Sequence, residues 1–266
     1  MTKLVFLGTG GGRFVTLSQE RSTGGIYLVD GVKVHIDPGP GALHALKRNG
    51  IDPTKTDGIV ISHCHPDHYA NGEILIEGLS FSRKGRRGVL VGPKSVIKGT
   101  GRIGPAISLY HRKKLRRVVT VSPGNGFKIG DLKGMPTPTV HSDHLCVGFR
   151  FHTKGGIVSY VSDTELREDI IESHAGSRVL ILANTRPLKA RIQNHLSTED
   201  SAVFAEKIKP ELCILTHMGK KMLRENPEEQ ALWIEKRSGV RTVAAVDDMV
   251  VELNGGIEVI IPPAPS

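Results

Sequence analysis

The chain has 266 residues, 38% of them hydrophobic, with 36 Lys and Arg against 27 Asp and Glu and a formal net charge of +9. That length and apolar fraction are enough for a packed core in one large domain, and no apolar run reaches the roughly 18 residues that a membrane span needs. Cys64, Cys146 and Cys213 make an odd set without framework spacing, which argues against a disulfide-stapled secreted fold and points to a reducing cytoplasm.

Met1-Thr2-Lys3 runs straight into a strand at Leu4–Leu7, so no signal peptide is expected. The glycine turn from Gly8 to Gly12 follows. It lacks the Gly-Lys-Ser/Thr ending of a phosphate loop, and no dinucleotide glycine pattern falls before a convincing helix. Its glycines are expected to let backbone approach a site. Ile26–Asp30 and Val32–Asp37 pair as a hairpin around Gly31, and Ala42–Arg48 reads as a helix stopped at Asn49-Gly50. The β-branched run Ile59-Val60-Ile61 is a buried strand that opens into Ser62-His63-Cys64-His65-Pro66-Asp67-His68.

Beyond it, Ser95–Gly104 reads as a flexible, Gly-rich tract and Ile107–Leu115 as a helix with basic residues towards its C-terminal end, where the helix dipole favours them. Val118–Val121 and Phe127–Ile129 read as a hairpin joined through Pro123-Gly124-Asn125-Gly126. A strand then reaches His141. Gly148–Thr153 and Ile157–Ser162 pair around Lys154-Gly155-Gly156, Glu165–His174 is a helix, and Val179–Ala183 is a buried strand. Thr198–Lys207 is an amphipathic helix with Ser197 as N-cap and Asp200 in its first turn. Leu212–Thr216 is a strand, and Pro227–Ser238 is a helix with Pro in its first turn. Val243–Val246, Met249–Leu253 and Ile257–Ile261 close the chain as strands. Nothing in this pass marks a domain boundary, so residues 1–266 are read as one domain, with an insert-like basic segment around 78–130.

The charge excess lives in that segment. Between Arg83 and Arg117 there are twelve Lys and Arg and no Asp or Glu, leaving the rest of the chain slightly acidic. Such a patch attracts polyanions, nucleic acid first, through phosphate contacts and counterion release. A merely solvated basic face is the alternative.

The chemistry is concentrated in His63, His65, Asp67 and His68. Imidazoles with a carboxylate suit borderline cations such as zinc or manganese, and a set without thiolates points away from a closed structural zinc site. Residues two apart in an extended segment point the same way. His63 and His65 can therefore grip one ion while Asp67 and His68, past Pro66, turn towards a second. Cys64 faces the other way and is not a ligand in this reading. The plain alternative is a His-rich surface loop.

His63-Cys64-His65-Pro66-Asp67-His68 resembles the HxHxDH signature of the metallo-β-lactamase superfamily, in its branch of two-metal hydrolases. The chain also matches that family's later features: His141 ahead of a Gly-Phe-Arg strand at Gly148-Phe149-Arg150, Asp163 after an apolar run, and His217 after Leu212–Thr216. The Gly-Thr-Gly opening is similar to that of tRNase Z and PhnP-like phosphodiesterases. The resemblance implies a four-layer αββα sandwich in the α/β (α+β) class and two divalent metal ions, zinc first, with manganese or iron as alternatives. His63, His65 and His141 would hold one ion, Asp67, His68 and His217 the other, and Asp163 would bridge them. His144 is the rival of His141. Asp37 would support the ligands from behind, and His35 is read as structural.

Two such cations, about 3.5–4 Å apart, make a bridging hydroxide available near neutrality and clamp attacking and leaving oxygens. Asp67 would orient that nucleophile or shuttle its proton. His195, in Asn194-His195-Leu196-Ser197, is similar to the extra histidine of phosphodiesterase members and would hold a phosphate oxygen or protonate the leaving oxygen. Asn184 and Arg186 stand where those members carry a more acidic motif. The expected function is a dinuclear phosphodiesterase in the cytoplasm, RNA-directed through the basic segment, with a homodimer implied by relatives. Hydrolysis of carboxylic esters, lactones or thioesters at the same site is the second reading. A non-catalytic nucleic-acid binder with a structural metal is the third.

Overall fold

The computed structural model describes residues 1–80 and 87–263. Arg83, Lys84 and Arg86 of the basic segment lie outside the described residues. The first sheet takes β1 (Thr2–Phe6), β2 (Ile26–Val29), β3 (Lys33–Ile36), β4 (Gly58–Val60), β5 (Arg87–Pro93) and β6 (Leu115–Val121). The second takes β7 (Phe127–Ile129), β8 (Leu132–Thr137), β9 (Gly148–Thr153), β10 (Gly156–Val161), β11 (Val179–Arg186), β12 (Leu196–Ser197), β13 (Leu212–Thr216) and β14 (Thr242–Ala244). The last strands, β15 (Val250–Asn254) and β16 (Gly256–Ile260), return to the first sheet beside β1.

Strand periodicity explains why the two sheets stack with helices outside them. Alternate residues of a strand point to opposite faces, and here both faces are apolar. In β11, Val179 and Ile181 join the core between the sheets, whereas Leu180 and Leu182 face an outer core. On the other side, Val60 faces the middle and Ile59 and Ile61 face outward. Such continuously apolar strands need cover on both sides. It comes from α2 (Ala42–Arg48), α4 (Gly72–Ser80) and α5 (Lys94–Ile97) on the first sheet, and from α7 (Glu168–Ser173), α8 (Thr198–Ile208) and α10 (Pro227–Ser238) on the second. The short helices α1 (Gly12–Ser18), α3 (Pro66–Tyr69), α6 (Leu109–Lys114) and α9 (Lys220–Arg224) complete the set. The result is the αββα sandwich. Among the described residues no helix is long and apolar enough to cross a membrane.

Local signals hold at several ends. Ser197 and Asp200 form a reciprocal capping box on α8, and α10 starts with Pro227 and ends at Gly239 with φ 70°. Three expectations fail. Val118–Val121 and Phe127–Ile129 are not a hairpin: β6 is the edge of the first sheet, and β7 pairs with β8 in the second. The turn chemistry was right, but Phe127 buries itself against Phe149 and Phe151, at ring distances of 5.9 and 6.3 Å, in the core between the sheets. The glycine turn does lead into a helix, α1, of which only Val15 is buried. The tract after Ser95 is not loop throughout, because Lys94–Ile97 is helical with Ser95, Val96 and Ile97 buried. Within the basic stretch, β5 and β6 pair in parallel in the first sheet.

Candidate metal centre

The ends of the parallel strands β4, β10, β11 and β13 open on one side of the sandwich, where crevices of α/β sheets bind ligands. Pairing of Val161 with Leu182 and of Ala183 with Thr216 sets Asp163, Thr185 and His217 side by side just beyond. The loop after β4 supplies His63 and His65, and α3, with Pro66 at its first turn, supplies Asp67 and His68. His141 arrives on the loop after β8. His144, its rival, is exposed and lines a separate cavity with Lys94 and Arg102.

Asp163 is the centre of the cluster. Its Oδ2 lies 3.6 Å from His68 Nε2, 3.7 Å from His141 Nε2, 3.8 Å from His195 Nδ1 and 3.9 Å from His63 Nε2. Its Oδ1 is 3.1 Å from His217 Nδ1 but not aligned to accept a hydrogen bond from it. Four groups bring their ligand atoms within 4.8 Å of one another: His63, His65 and His141; Asp67, His68 and His217; His63, His68 and Asp163; and His141, Asp163 and His195.

The outward hydrogen bonds decide which ring nitrogens face inward as bare lone pairs. Ser62 Oγ donates to Asp37 Oδ2 at 2.7 Å, so it accepts from His63 Nδ1 at 2.9 Å. His68 Nδ1 donates to Asp37 Oδ2 at 2.9 Å, and His141 Nδ1 donates to the Asn194 carbonyl at 3.0 Å. In a neutral ring each assignment leaves Nε2 unprotonated and aimed at the cluster, and His68 reaches that form when a bound cation takes the place of its second proton. His63 Nε2 and His141 Nε2 then lie 2.9 and 3.1 Å from His65 Nδ1. One proton on His65 can serve only one of those lone pairs, whereas a shared cation serves all of them. The donor set therefore fits divalent metal.

Electrostatics agree with that fit. Burial lowers the pKa values of His63, His65, His141 and His195, holding them in the neutral form that ligates. His68 is the exception: burial opposes its charge, but Asp67 and Asp37 outweigh burial and raise its pKa well above the ordinary range. Burial likewise opposes ionisation of Asp163 and Asp67, yet the facing histidines, His217 and His68 foremost, keep both carboxylates ionised.

The supporting layer is largely one residue. Asp37, held at φ 50°, accepts from Ser62 N–H and Oγ, His68 Nδ1 and the Tyr160 hydroxyl. His35 sits outside the cluster, its Nε2 bonded to the Gly24 carbonyl at 2.7 Å. His217 also has a positive φ, 57°, a backbone conformation that costs a non-glycine residue about 1–3 kcal/mol and clusters at functional sites. Thr185 Oγ1 steadies it, 3.0 Å from Nδ1. The glycine turn packs against the same histidine. A Cβ at Gly11 would lie only 2.3 Å from the His217 ring, and Gly12 N–H donates to Asp67 Oδ2 at 2.9 Å. Ser62, Tyr160, Thr185 and the Asn194 carbonyl were not singled out by residue type. A hydroxyl inside a strand or at its end carries no local signature.

Fold and cluster together define a metal-dependent hydrolase. A family profile described as "Beta-lactamase superfamily domain" matches residues 33–218, and the chain belongs to that family. It is 38% identical to an uncharacterized protein of Methanocaldococcus jannaschii over 96% of either chain. It is 26% identical to a ribonuclease Z of Pyrobaculum islandicum, with 82% of this chain and 87% of that one covered. Among solved structures, a diphosphatase of the PhnP family superposes with a TM-score of 0.72 at 22% identity, covering 96% of this chain and 98% of the other.

Proposed function

We propose that the chain is a two-metal phosphodiesterase acting on RNA or a related nucleotide substrate. The observation that carries this reading is the convergence of imidazoles and carboxylates on Asp163 at the floor of a cleft of about 710 Å³, whose wall also holds Arg13, Arg186, Lys220 and Lys221. His63, His65 and His141 would hold one cation, Asp67, His68 and His217 the other, and Asp163 would serve both. Zinc suits this nitrogen-rich set, with manganese or iron as alternatives for metal analysis to decide. Cations held there would polarise a phosphoryl oxygen and lower the pKa of a bound water.

The chain's own groups then have separate tasks. Asp67, pinned through Oδ2 by the Gly12 N–H and close to His217, would orient the attacking water and take its proton. His195 lines the cleft, its side chain 21% exposed, and its neutral ring would hold a scissile phosphate oxygen through its N–H. Arg13, Lys220 and Lys221 would attract the anionic substrate. The ribonuclease Z relative supports RNA as the substrate class. Because both sheets contribute ligands, neither half would hold the site alone, which supports treating the chain as one domain. Its three unpaired, buried cysteines support a reducing, cytoplasmic setting.

Metal-loaded protein is expected to cleave bis(p-nitrophenyl) phosphate, and the Asp67→Ala variant is not. No turnover with zinc, manganese or cobalt would reject the reading, as would hydrolysis of carboxylic esters with phosphodiesters left intact.

A further inference from the structure

Helix α1 is inverted relative to what an amphipathic helix does with its apolar residues. A helix of this kind buries its large side chains and turns its small or polar ones outward. Here Val15 is fully buried, while Phe14 and Leu17, three apart and so on one face, are 65% and 78% exposed. Both line the cleft that contains His65, Asp67, Asp163 and His195. Ile192, 40% exposed, lines it too. Large apolar groups left in water beside an active cleft mark a binding surface.

The occupant is fixed by what shares that cleft. Arg13 adjoins Phe14 in sequence, and Lys220 and Lys221 open α9 on the same wall, all three exposed. An acyl chain or other neutral apolar group would satisfy Phe14 and leave the cations unused. A bare phosphate would use the cations and leave Phe14 in water. A nucleotide uses both, its base stacking on an aromatic face while its backbone runs along positive charge. We propose that Phe14, backed by Leu17, is the platform on which a nucleobase of the substrate stacks, with Arg13, Lys220 and Lys221 holding the neighbouring phosphates. This rests on the phosphodiesterase reading and adds to it that the substrate is recognised through a base, independently of the metal ligands.

The test uses metal-loaded full-length protein and a short single-stranded RNA with 2-aminopurine at its 3′ end and a fluorophore at its 5′ end. Binding is read by anisotropy and stacking by 2-aminopurine quenching, both in the first seconds after mixing, beside a strand with an abasic 3′ residue. Wild-type protein is expected to quench the probe and to bind the base-bearing strand about tenfold more tightly than the abasic one. Phe14→Ala should lose the quenching and that preference while keeping the wild-type melting temperature and metal content, and Phe14→Trp should retain both. Equal binding of the two strands by wild-type protein, or undiminished quenching in Phe14→Ala, overturns the platform. Base preference without any strand cleavage would leave the platform standing and remove the phosphodiesterase. Cleavage without base preference would do the reverse.

Discussion

The two halves of the molecule bring their shares of the metal cluster by different means. The first half delivers His63, His65, Asp67 and His68 from one loop and one turn of helix, so chain connectivity alone keeps them close. The second half sends His141, Asp163 and His217 from separate segments, and Thr185 behind them. The closeness of Asp163, Thr185 and His217 depends on the parallel registers of β10, β11 and β13, and His141 joins them from the loop after β8. A site built this way has a locally encoded part and a part that exists only once a long-range sheet has formed.

Breaking the second part at its centre has the largest expected effect. Asp163→Ala removes the carboxylate that five histidines approach within 4 Å, and the loss of phosphodiesterase turnover should exceed the about 10- to 100-fold that follows loss of a supporting partner. Turnover within tenfold of wild type, with metal stoichiometry unchanged, would refute the central role of Asp163. A paired measurement sharpens the contrast. Ser62→Ala and Thr185→Val each remove a hydroxyl behind a histidine, on the local and the dispersed side respectively. Each should weaken metal binding by about 10- to 100-fold in competition with a chelator. Ser62→Ala should also cost about 1–3 kcal/mol in the metal-free protein, because buried Asp37 loses a donor. Equal metal-free stabilities for the two variants would contradict that difference.

The smallest effect concerns acid. His174 is wholly buried in the second half, bonded to Thr137 Oγ1, and burial followed by the Arg150 charge pushes its imidazole down to about 3. The unfolded chain takes up a proton below about pH 6.5 that the folded chain refuses. Stability from the neutral imidazole is thus full above 6.5 and lost as pH falls towards 3, by at most about 1.4 kcal/mol per pH unit. His174→Gln should show a shallower loss than wild type in denaturation at stepped pH between 6.5 and 4.5. Parallel curves would remove this residue from the account.

The same division explains how much of the fold and site is legible in the sequence. The dense His63–His68 run and the apolar strand before it are local, so they could be read directly, and the family resemblance carried the αββα layers and the later His141, Asp163 and His217. Choice of strand partner is not local. Val118–Val121 and Phe127–Ile129 flank a sound turn sequence, yet they part into different sheets, with Phe127 packed against Phe149 and Phe151 in the middle core. Helix α1 had no apolar periodicity to betray it, as its large side chains face the cleft and not the core. Thr185 and Tyr160 acquire meaning only when a neighbouring strand presents a histidine or Asp37 to them.

The contact between Gly11 and the His217 ring has a practical consequence for anyone reshaping this enzyme. Any side chain at position 11 must displace a cluster histidine, so a randomised library there would yield mostly inactive clones although the residue itself carries no functional group. Residues 13 and 14 differ: Arg13 and Phe14 are exposed and line the cleft, so diversification aimed at new specificity should begin at residue 13.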